Sequence, residues 1–136
     1  MLVGMESRGP DSAGFAIYNS DKNKIYKYSI CLNEMNFEKF KKEIKNKIKI
    51  KNIEKNSDHV ILKSHEKPNK ILPILEDFST ISLVGYGKSI EIFKQVGNPR
   101  TVVKKFNLDS FSGTHGIGHT RMATESAITT DGSHPY

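Results

Sequence analysis

The sequence has no tryptophan, a single cysteine and no long run of apolar residues. Cys31 has no second cysteine with which to form a disulfide inside the chain, which excludes a disulfide-stabilised scaffold and favours a reducing compartment. The longest apolar stretches, such as Ile71–Leu75, are too short to span a bilayer. The opening residues 1–6 carry neither a basic leader nor a long apolar run, so they do not predict a secretory signal. We therefore expect a soluble cytoplasmic protein.

Arginine is also scarce, although the chain is basic. The formal net charge is +6 and the isoelectric point is about 9.4, but the cations are 18 lysines and only three arginines. The densest basic stretch, Lys39–Lys55, is interleaved with isoleucine and asparagine, whereas proteins that read nucleic acids use arginine and stacked aromatic residues. The composition favours a solvated lysine face and predicts neither a nucleic-acid nor a membrane partner. A polyanion site on this face is the alternative.

The length of 136 residues fits one domain, residues 1–136, and alternating helical and β-rich segments predict an α+β class. Two β-rich runs, at 12–20 and 24–30, predict a hairpin around a short polar linker. From Asn36 onward, apolar residues fall at helical spacing and predict an amphipathic helix. Strands are predicted at His59–Ser64 and Ile81–Gly87, and Pro68 and Pro73 break up the stretch between them. Ser89–Gln95 is predicted as either a strand or a helix. A helix is predicted over Thr101–Phe106, starting at Asn98-Pro99.

The first motif is RGPDSAG, at residues 8–14, and it runs directly into a predicted strand. Its Gly-Pro pair predicts a fixed turn, Asp11 and Ser12 can bond nearby backbone amides, and Gly14 permits close backbone approach. Taken alone, these residues are better explained as a tight turn entering a buried strand. Such a turn has no need of Arg8, however, which we expect to face inward beside Asp11.

The second motif is GTHGIGHTRMAT, at residues 113–124. If the segment is a strand, one face carries His115, Ile117, His119 and Arg121, and the other carries Gly116, Gly118 and Thr120. Alternate glycines weaken a strand unless something packs against the backbone there. Arg121 precedes the hydroxyl residues Thr124, Ser126, Thr129 and Thr130. This combination resembles a carboxylate-binding corner, because a guanidinium holds a carboxylate through two parallel hydrogen bonds that lysine cannot imitate.

Other chemistries fit these residues less well. His115 and His119 would lie about 13 Å apart on an extended strand, too far to share a metal ion. Glu125 and His134 have no recognisable ligand spacing. The chain has neither the nucleophile elbow of a serine hydrolase nor the Gly-Lys-Ser/Thr of a phosphate loop. We therefore predict no metal site and no cofactor.

Taken together, MESRGPDSAGFAIY and GTHGIGHTRMATESAITTDGSHPY resemble the class II glutamine amidotransferases, whose glutaminase domain is an N-terminal-nucleophile hydrolase. The forms RGPDSAG and GHTRMATES look closest to the stand-alone amidotransferase subunit related to glutamate synthase. The middle of the chain is similar more loosely, through GYGKSIEIFKQVGNPRTVVKKF. One motif alone is suggestive, and two in the right order favour the family.

The resemblance implies a sandwich of two β-sheets between helical layers, incomplete here, with glutamine bound at its open end. In this family an N-terminal cysteine attacks the glutamine amide and its own α-amine serves as the base. By resemblance, Arg121 clamps the α-carboxylate of glutamine and the Thr124 region adds hydroxyl and backbone contacts. The residues implied to support the site without touching substrate are Arg8, Asp11, Ser12 and His119. The implied ammonia acceptor is a synthase subunit or domain.

The sequence departs from the family pattern at the nucleophile. No cysteine stands near Met1, and Cys31 follows the RGPDSAG turn with no adjacent base, so we expect an ordinary packed thiol and assign no catalytic residue. The oxyanion-forming Asn-Gly pair of the family is missing as well. We therefore expect a fragment truncated at both ends, partnered by the remainder of its own domain and without glutaminase activity. The alternative is a non-catalytic glutamine-binding or interaction protein derived from that domain.

Overall fold

The computed structural model describes residues 1–20 and 24–122, and the chain divides into two compact units. One unit combines Met1–Ser20 with the chain from Ile92 onward, and the other is Asp21–Glu91. The strands are β1 Ser12–Tyr18, β2 Tyr26–Cys31, β3 Asn52–Asn56, β4 His59–Ser64, β5 Ser82–Gly87, β6 Ile90–Val96 and β7 His115–Arg121. The α-helices are α1 Phe37–Lys47, α2 Pro68–Glu76 and α3 Pro99–Phe106, and short 3₁₀ helices span Leu2–Arg8 and Leu108–Ser110. Among the described helices, none is long and apolar enough to cross a membrane.

The mixture of helices and antiparallel sheets confirms the predicted α+β class. The first unit holds a three-stranded sheet in the order β6-β1-β7, with β1 and β7 antiparallel from the Ser12–Arg121 pair to the Tyr18–His115 pair. Its core is aromatic: ring centroids lie 5.1 to 6.0 Å apart among Phe15, Phe93, Phe106 and Phe111. Edge-to-face and offset packing of this kind adds to the stabilisation from apolar burial.

The second unit holds a four-stranded antiparallel sheet in the order β3-β4-β2-β5. Buried residues of α1 and α2 pack with the apolar residues of this sheet in one cluster that includes Tyr28, Phe40, Ile44, Leu62, Ile71 and Leu75. The Tyr28 hydroxyl donates to the Glu66 backbone carbonyl at 2.9 Å. Burial raises the pKa of this phenol well above its usual value, so Tyr28 stays protonated and keeps its donor role.

The hairpin predicted for the first two strands is wrong. β1 pairs with β6 and β7, whereas β2 pairs with β4 and β5 in the other sheet. β1 is buried at five consecutive positions, which is typical of a central strand covered on both faces rather than of a strand with one solvated face. The linker between the two strands is also too long for the two-residue turn that sets a tight hairpin register.

The prolines do not interrupt regular secondary structure, although the sequence predicts that they do. Pro68 and Pro73 both lie in α2. Pro68 occupies the start of the helix, where a missing N–H removes no helical hydrogen bond. Pro73 is an interior position, and the helix nevertheless forms because Ile71 and Leu75 on its inner side are buried in the core.

The remaining local predictions agree with the structure, and Ser89–Gln95, left open between strand and helix, falls mostly in β6. The predicted helices begin at asparagine caps. The Asn36 side-chain oxygen accepts from the backbone N–H groups of Glu38 and Lys39, and the Asn98 side chain accepts from that of Thr101. Each cap satisfies donors that a helix N-terminus otherwise leaves unpaired.

Replacing the α1 cap should therefore destabilise the chain. We expect Asn36→Ala to lower the free energy of unfolding by about 1 kcal/mol, because two backbone donors lose their acceptor. Urea unfolding followed by far-ultraviolet circular dichroism measures the change. The matched control is Asn46→Ala, an exposed position inside the same helix, which should leave stability unchanged or raise it slightly. Equal effects of the two substitutions would contradict the role of the cap.

Candidate functional site

The two sequence motifs meet in the first unit. Ser12 pairs with Arg121 at the first position of the β1–β7 ladder. Just before it, the Asp11 N–H donates to the Arg121 carbonyl at 3.1 Å, and the Asp11 carbonyl accepts from the Gly97 N–H at 2.8 Å. The RGPDSAG turn and the end of the GHTR strand therefore form one hydrogen-bonded structure.

Gly9 lets the turn lie directly on β7. A Cβ atom at this position would stand 2.6 Å from the Arg121 nitrogen and 2.7 Å from the carbonyl carbon and Oγ1 of Thr120. The backbone of Gly9 is extended, with a φ of −161°, so glycine is required here by space and not by conformation. The close approach holds the backbone of Arg121 against the turn.

The alternate glycines of β7 also have close neighbours. A Cβ at Gly116 would lie 3.2 Å from Cδ1 of Ile17, and one at Gly118 would lie 3.2 Å from Cδ1 of Leu2. These contacts meet the condition under which alternate glycines are compatible with a strand, namely that something packs against the β7 backbone at these positions. Leu2 is a buried residue of the first 3₁₀ helix, so the opening segment covers this part of the strand.

The β1–β7 register assigns the side chains to two faces. Directly opposed residues of an antiparallel pair point to the same side, so Ser12 shares a face with Arg121, and Gly14 shares it with His119. At the far end of the same face, the rings of Tyr18 and His115 stack with centroids 4.4 Å apart. The opposite face carries Phe15 and its aromatic neighbours. The polar residues predicted for the site and the aromatic core therefore lie on opposite sides of the two strands.

The predicted site residues differ in their exposure. Ser12 is 2% exposed, whereas Asp11, His119 and Arg121 are half-buried. A half-buried guanidinium meets less competing water than an exposed one, which suits a bidentate hydrogen bond to a carboxylate. Arg121 is thus half-buried and lies beside the opening turn.

The two remaining predicted site residues are Arg8 and Thr124. Arg8 is exposed at the end of the first 3₁₀ helix, so the expectation that it faces inward is wrong. The buried residue of that helix is Leu2, and the next buried residue along the chain is Gly9, which follows Arg8. Thr124 lies outside the described residues, as do the hydroxyl residues that follow it.

Cys31 belongs to the other unit and is buried at 2% exposure, as expected for a packed thiol. The expectation that no base adjoins it is wrong, because the β2–β4 register pairs Cys31 with His59. No local signal in the sequence links these two positions. Their proximity depends on the pairing of strands that the α1 helix and β3 separate along the chain.

The close contact at Gly9 predicts a large difference between two glycines of the same unit. Gly9→Ala should lower the free energy of unfolding by about 1–3 kcal/mol, because the new methyl group overlaps backbone atoms that cannot move aside freely. Gly4→Ala is the control, since nothing lies within 4 Å of its Cβ position, and it should change stability by less than about 0.5 kcal/mol. Chemical unfolding of both variants tests this. A Gly9→Ala chain as stable as Gly4→Ala would refute the close approach.

Comparison with known proteins adds an independent line of evidence. No family model matches the sequence. The chain is 38% identical, over its whole length, to the glutamine amidotransferase-like protein GlxB of Rhizobium meliloti, of which it covers 46%. It is 28% identical, again over its whole length, to a Methanothermobacter thermautotrophicus protein named provisionally as a glutamine amidotransferase, of which it covers 49%. The chain therefore spans about half the length of these curated relatives.

A shorter similarity extends to a second group of relatives. About half of the chain, 53%, is 34% identical to 13% of the glutamine–fructose-6-phosphate aminotransferase (isomerizing) of Methanococcus maripaludis. The names of all three relatives contain the word glutamine together with amidotransferase or aminotransferase. The similarities support a relationship between this chain and the glutamine amidotransferases.

Proposed function

We propose that the chain is the part of a class II glutamine amidotransferase that holds the α-carboxylate of glutamine. In the whole protein, glutamine would be hydrolysed to glutamate and the ammonia passed to a glutamate-synthase-type partner. The observation that carries the proposal is the half-buried Arg121, attached through its backbone to the RGPDSAG turn. The relatives named as glutamine amidotransferases support the same function.

The proposed role of Arg121 depends on how its backbone is held. The Asp11 N–H binds its carbonyl, Ser12 pairs with it in the sheet, and Gly9 packs against its nitrogen. A guanidinium on a fixed backbone loses less conformational freedom when a ligand binds, so more of the interaction energy appears as affinity. Ser12 and His119, on the same face as Arg121, would position this ligand-binding edge without contacting glutamine.

We assign the catalytic nucleophile to a part of the protein outside this chain. The one cysteine in the sequence, Cys31, belongs to the other unit and is almost fully buried. A thiol at this level of burial cannot reach a substrate amide without a change of structure. Since the relatives are about twice as long as the chain, we propose that the remaining part contributes the catalytic cysteine.

A non-catalytic glutamine-binding protein is the second candidate function, because it would need Arg121 and no nucleophile. Polyanion binding through the lysine face has less support. Lys41 and Lys55 lie over the ring of Phe37, with Nζ 5.6 Å from the centroid in both cases, and Lys47 lies 5.0 Å from the ring centroid of Phe78. These contacts give three lysines of the stretch aromatic partners within the chain, and none of the three positions carries the arginine that nucleic-acid readers use.

Glutamine binding should depend on Arg121. We expect the chain to bind glutamine saturably and Arg121→Ala to weaken binding about thirtyfold or more, because the carboxylate loses a charged bidentate partner. Arg121→Lys should bind glutamine little better than Arg121→Ala, since an ammonium cannot form two parallel hydrogen bonds with the carboxylate. Isothermal titration calorimetry with glutamine measures both. The control is Arg100→Ala, an arginine of the same unit that contacts Glu6. Unchanged binding in Arg121→Ala would refute the proposed role.

Glutaminase activity provides a separate test. The chain incubated with glutamine should release no glutamate above the spontaneous rate, and Cys31→Ala should behave in the same way, because the buried thiol does not meet the substrate. An enzyme-coupled glutamate assay measures both. Turnover in the unaltered chain that disappears in Cys31→Ala would show that Cys31 is the nucleophile. Such a result would overturn the assignment of that group to the rest of the protein.

A further inference from the structure

A second group of reactive side chains belongs to the Asp21–Glu91 unit, which does not include the Arg121 motif. Cys31, Asp58 and His59 each offer one donor atom, and the three atoms all lie within 4.8 Å of one another. The three residues offer a sulfur, a carboxylate oxygen and an imidazole nitrogen, which are common protein ligands of zinc. The proposed function of the first unit uses none of them.

The fold holds these residues together through three connections. Cys31 ends β2 and is directly opposite His59, the first residue of β4, so both side chains lie on one face of the sheet. Asp58 belongs to the tight turn between β3 and β4, in which Ser57 adopts a left-handed backbone with a φ of 58°. The Leu32 N–H then donates to the Asp58 carbonyl at 2.8 Å. Backbone pairing, and not only side-chain contact, therefore fixes the cluster.

The polar contacts of the cluster suit an ion better than a substrate. His59 Nδ1 lies 2.8 Å from Asp58 Oδ1, and the Cys31 thiol donates to Asn33 Oδ1 at 3.2 Å. The Cys31 residue is 2% exposed and the His59 side chain 0%, so the pair is closed to an organic substrate. The Asp58 side chain is 31% exposed, and the exposed Asn33 adjoins the thiol. An ion can therefore reach the three donor atoms from the side of the cluster on which Asp58 and Asn33 contact solvent.

We propose, against the sequence-based prediction of no metal site, that Cys31, Asp58 and His59 bind one divalent cation of the zinc class. A thiolate with an imidazole and a carboxylate favours a borderline-soft ion over magnesium or calcium, which prefer oxygen ligands throughout. Zinc in tetrahedral coordination holds its donor atoms roughly 3.5 Å apart, so small side-chain movements convert the present cluster into a ligand set. The Asn33 amide oxygen, or water, completes the coordination. Binding releases the thiol proton to solvent.

The cation would stabilise the unit at the point where its loops converge. It would connect the end of β2 to the β3–β4 turn, and any ligand that binds only the folded state raises stability by mass action. Without the metal, the cluster retains the hydrogen bonds described above. The site is thus proposed to contribute to stability, and it takes no part in glutamine chemistry.

Cobalt is the probe, because a thiolate bound to Co²⁺ gives a charge-transfer band in the near ultraviolet. The full chain, freed of metal and kept reduced with a phosphine, is titrated with Co²⁺ and then with Zn²⁺. We expect one Co²⁺ per chain, a thiolate band, and loss of the band when Zn²⁺ displaces the cobalt. His65→Ala is the control, since His65 is exposed in the same unit, and its titration should match that of the unaltered chain.

Two variants test the ligand set. Cys31→Ser should abolish the charge-transfer band, and Asp58→Asn should weaken Zn²⁺ binding at least about tenfold. Because a polar substitution at buried Cys31 can unfold the unit, circular dichroism checks its fold, and Asp58→Asn in the exposed turn is the second, independent measurement. The proposal is overturned if saturating Co²⁺ gives no thiolate band with the unaltered chain. It is equally overturned if a folded Asp58→Asn chain binds Zn²⁺ with unchanged affinity.

Discussion

The missing side chain at Gly9 allows the opening turn to lie on the backbone of Thr120 and Arg121, and the candidate site depends on this contact. It positions the Asp11 N–H to bond the Arg121 carbonyl, which in turn starts the β1–β7 ladder at its observed register. A shift of one residue would move Arg121 to the face occupied by Phe15. The turn therefore determines whether the guanidinium faces the core or the polar side.

The β1–β7 pair separates two requirements that often conflict at functional sites. On one face, Phe15 packs against the aromatic rings of β6 and α3, which stabilises the unit. On the other, Ser12, His119 and Arg121 are held in a row by the same backbone hydrogen bonds. Polar groups can then be concentrated on the second face without entering the aromatic core, where unpaired polar groups carry a large free-energy cost. A binding group on a sheet is also placed more accurately than one on a loop.

The sequence predicts α1, α3, β4 and β5 correctly, because each of these elements is indicated by a cap or by a period of apolar residues within one segment. The sequence also predicted that the RGPDSAG and GHTR motifs belong to one site, through their joint resemblance to a family. It failed where the outcome depends on distant segments. The partners of β1 come from the other end of the chain, the core stabilises α2 despite Pro73, and His59 reaches Cys31 only through strand pairing.

The division of the chain into a continuous and a discontinuous unit has a consequence for its biosynthesis. Asp21–Glu91 contains every strand of its sheet, so this part can acquire its structure soon after it leaves the ribosome. β1 emerges earlier, yet both of its neighbours, β6 and β7, are translated much later. Contacts between such distant segments form slowly, and domains of a nascent polypeptide fold as units. The apolar residues 13–17 therefore remain without their neighbouring strands until residues 90–121 have been synthesised.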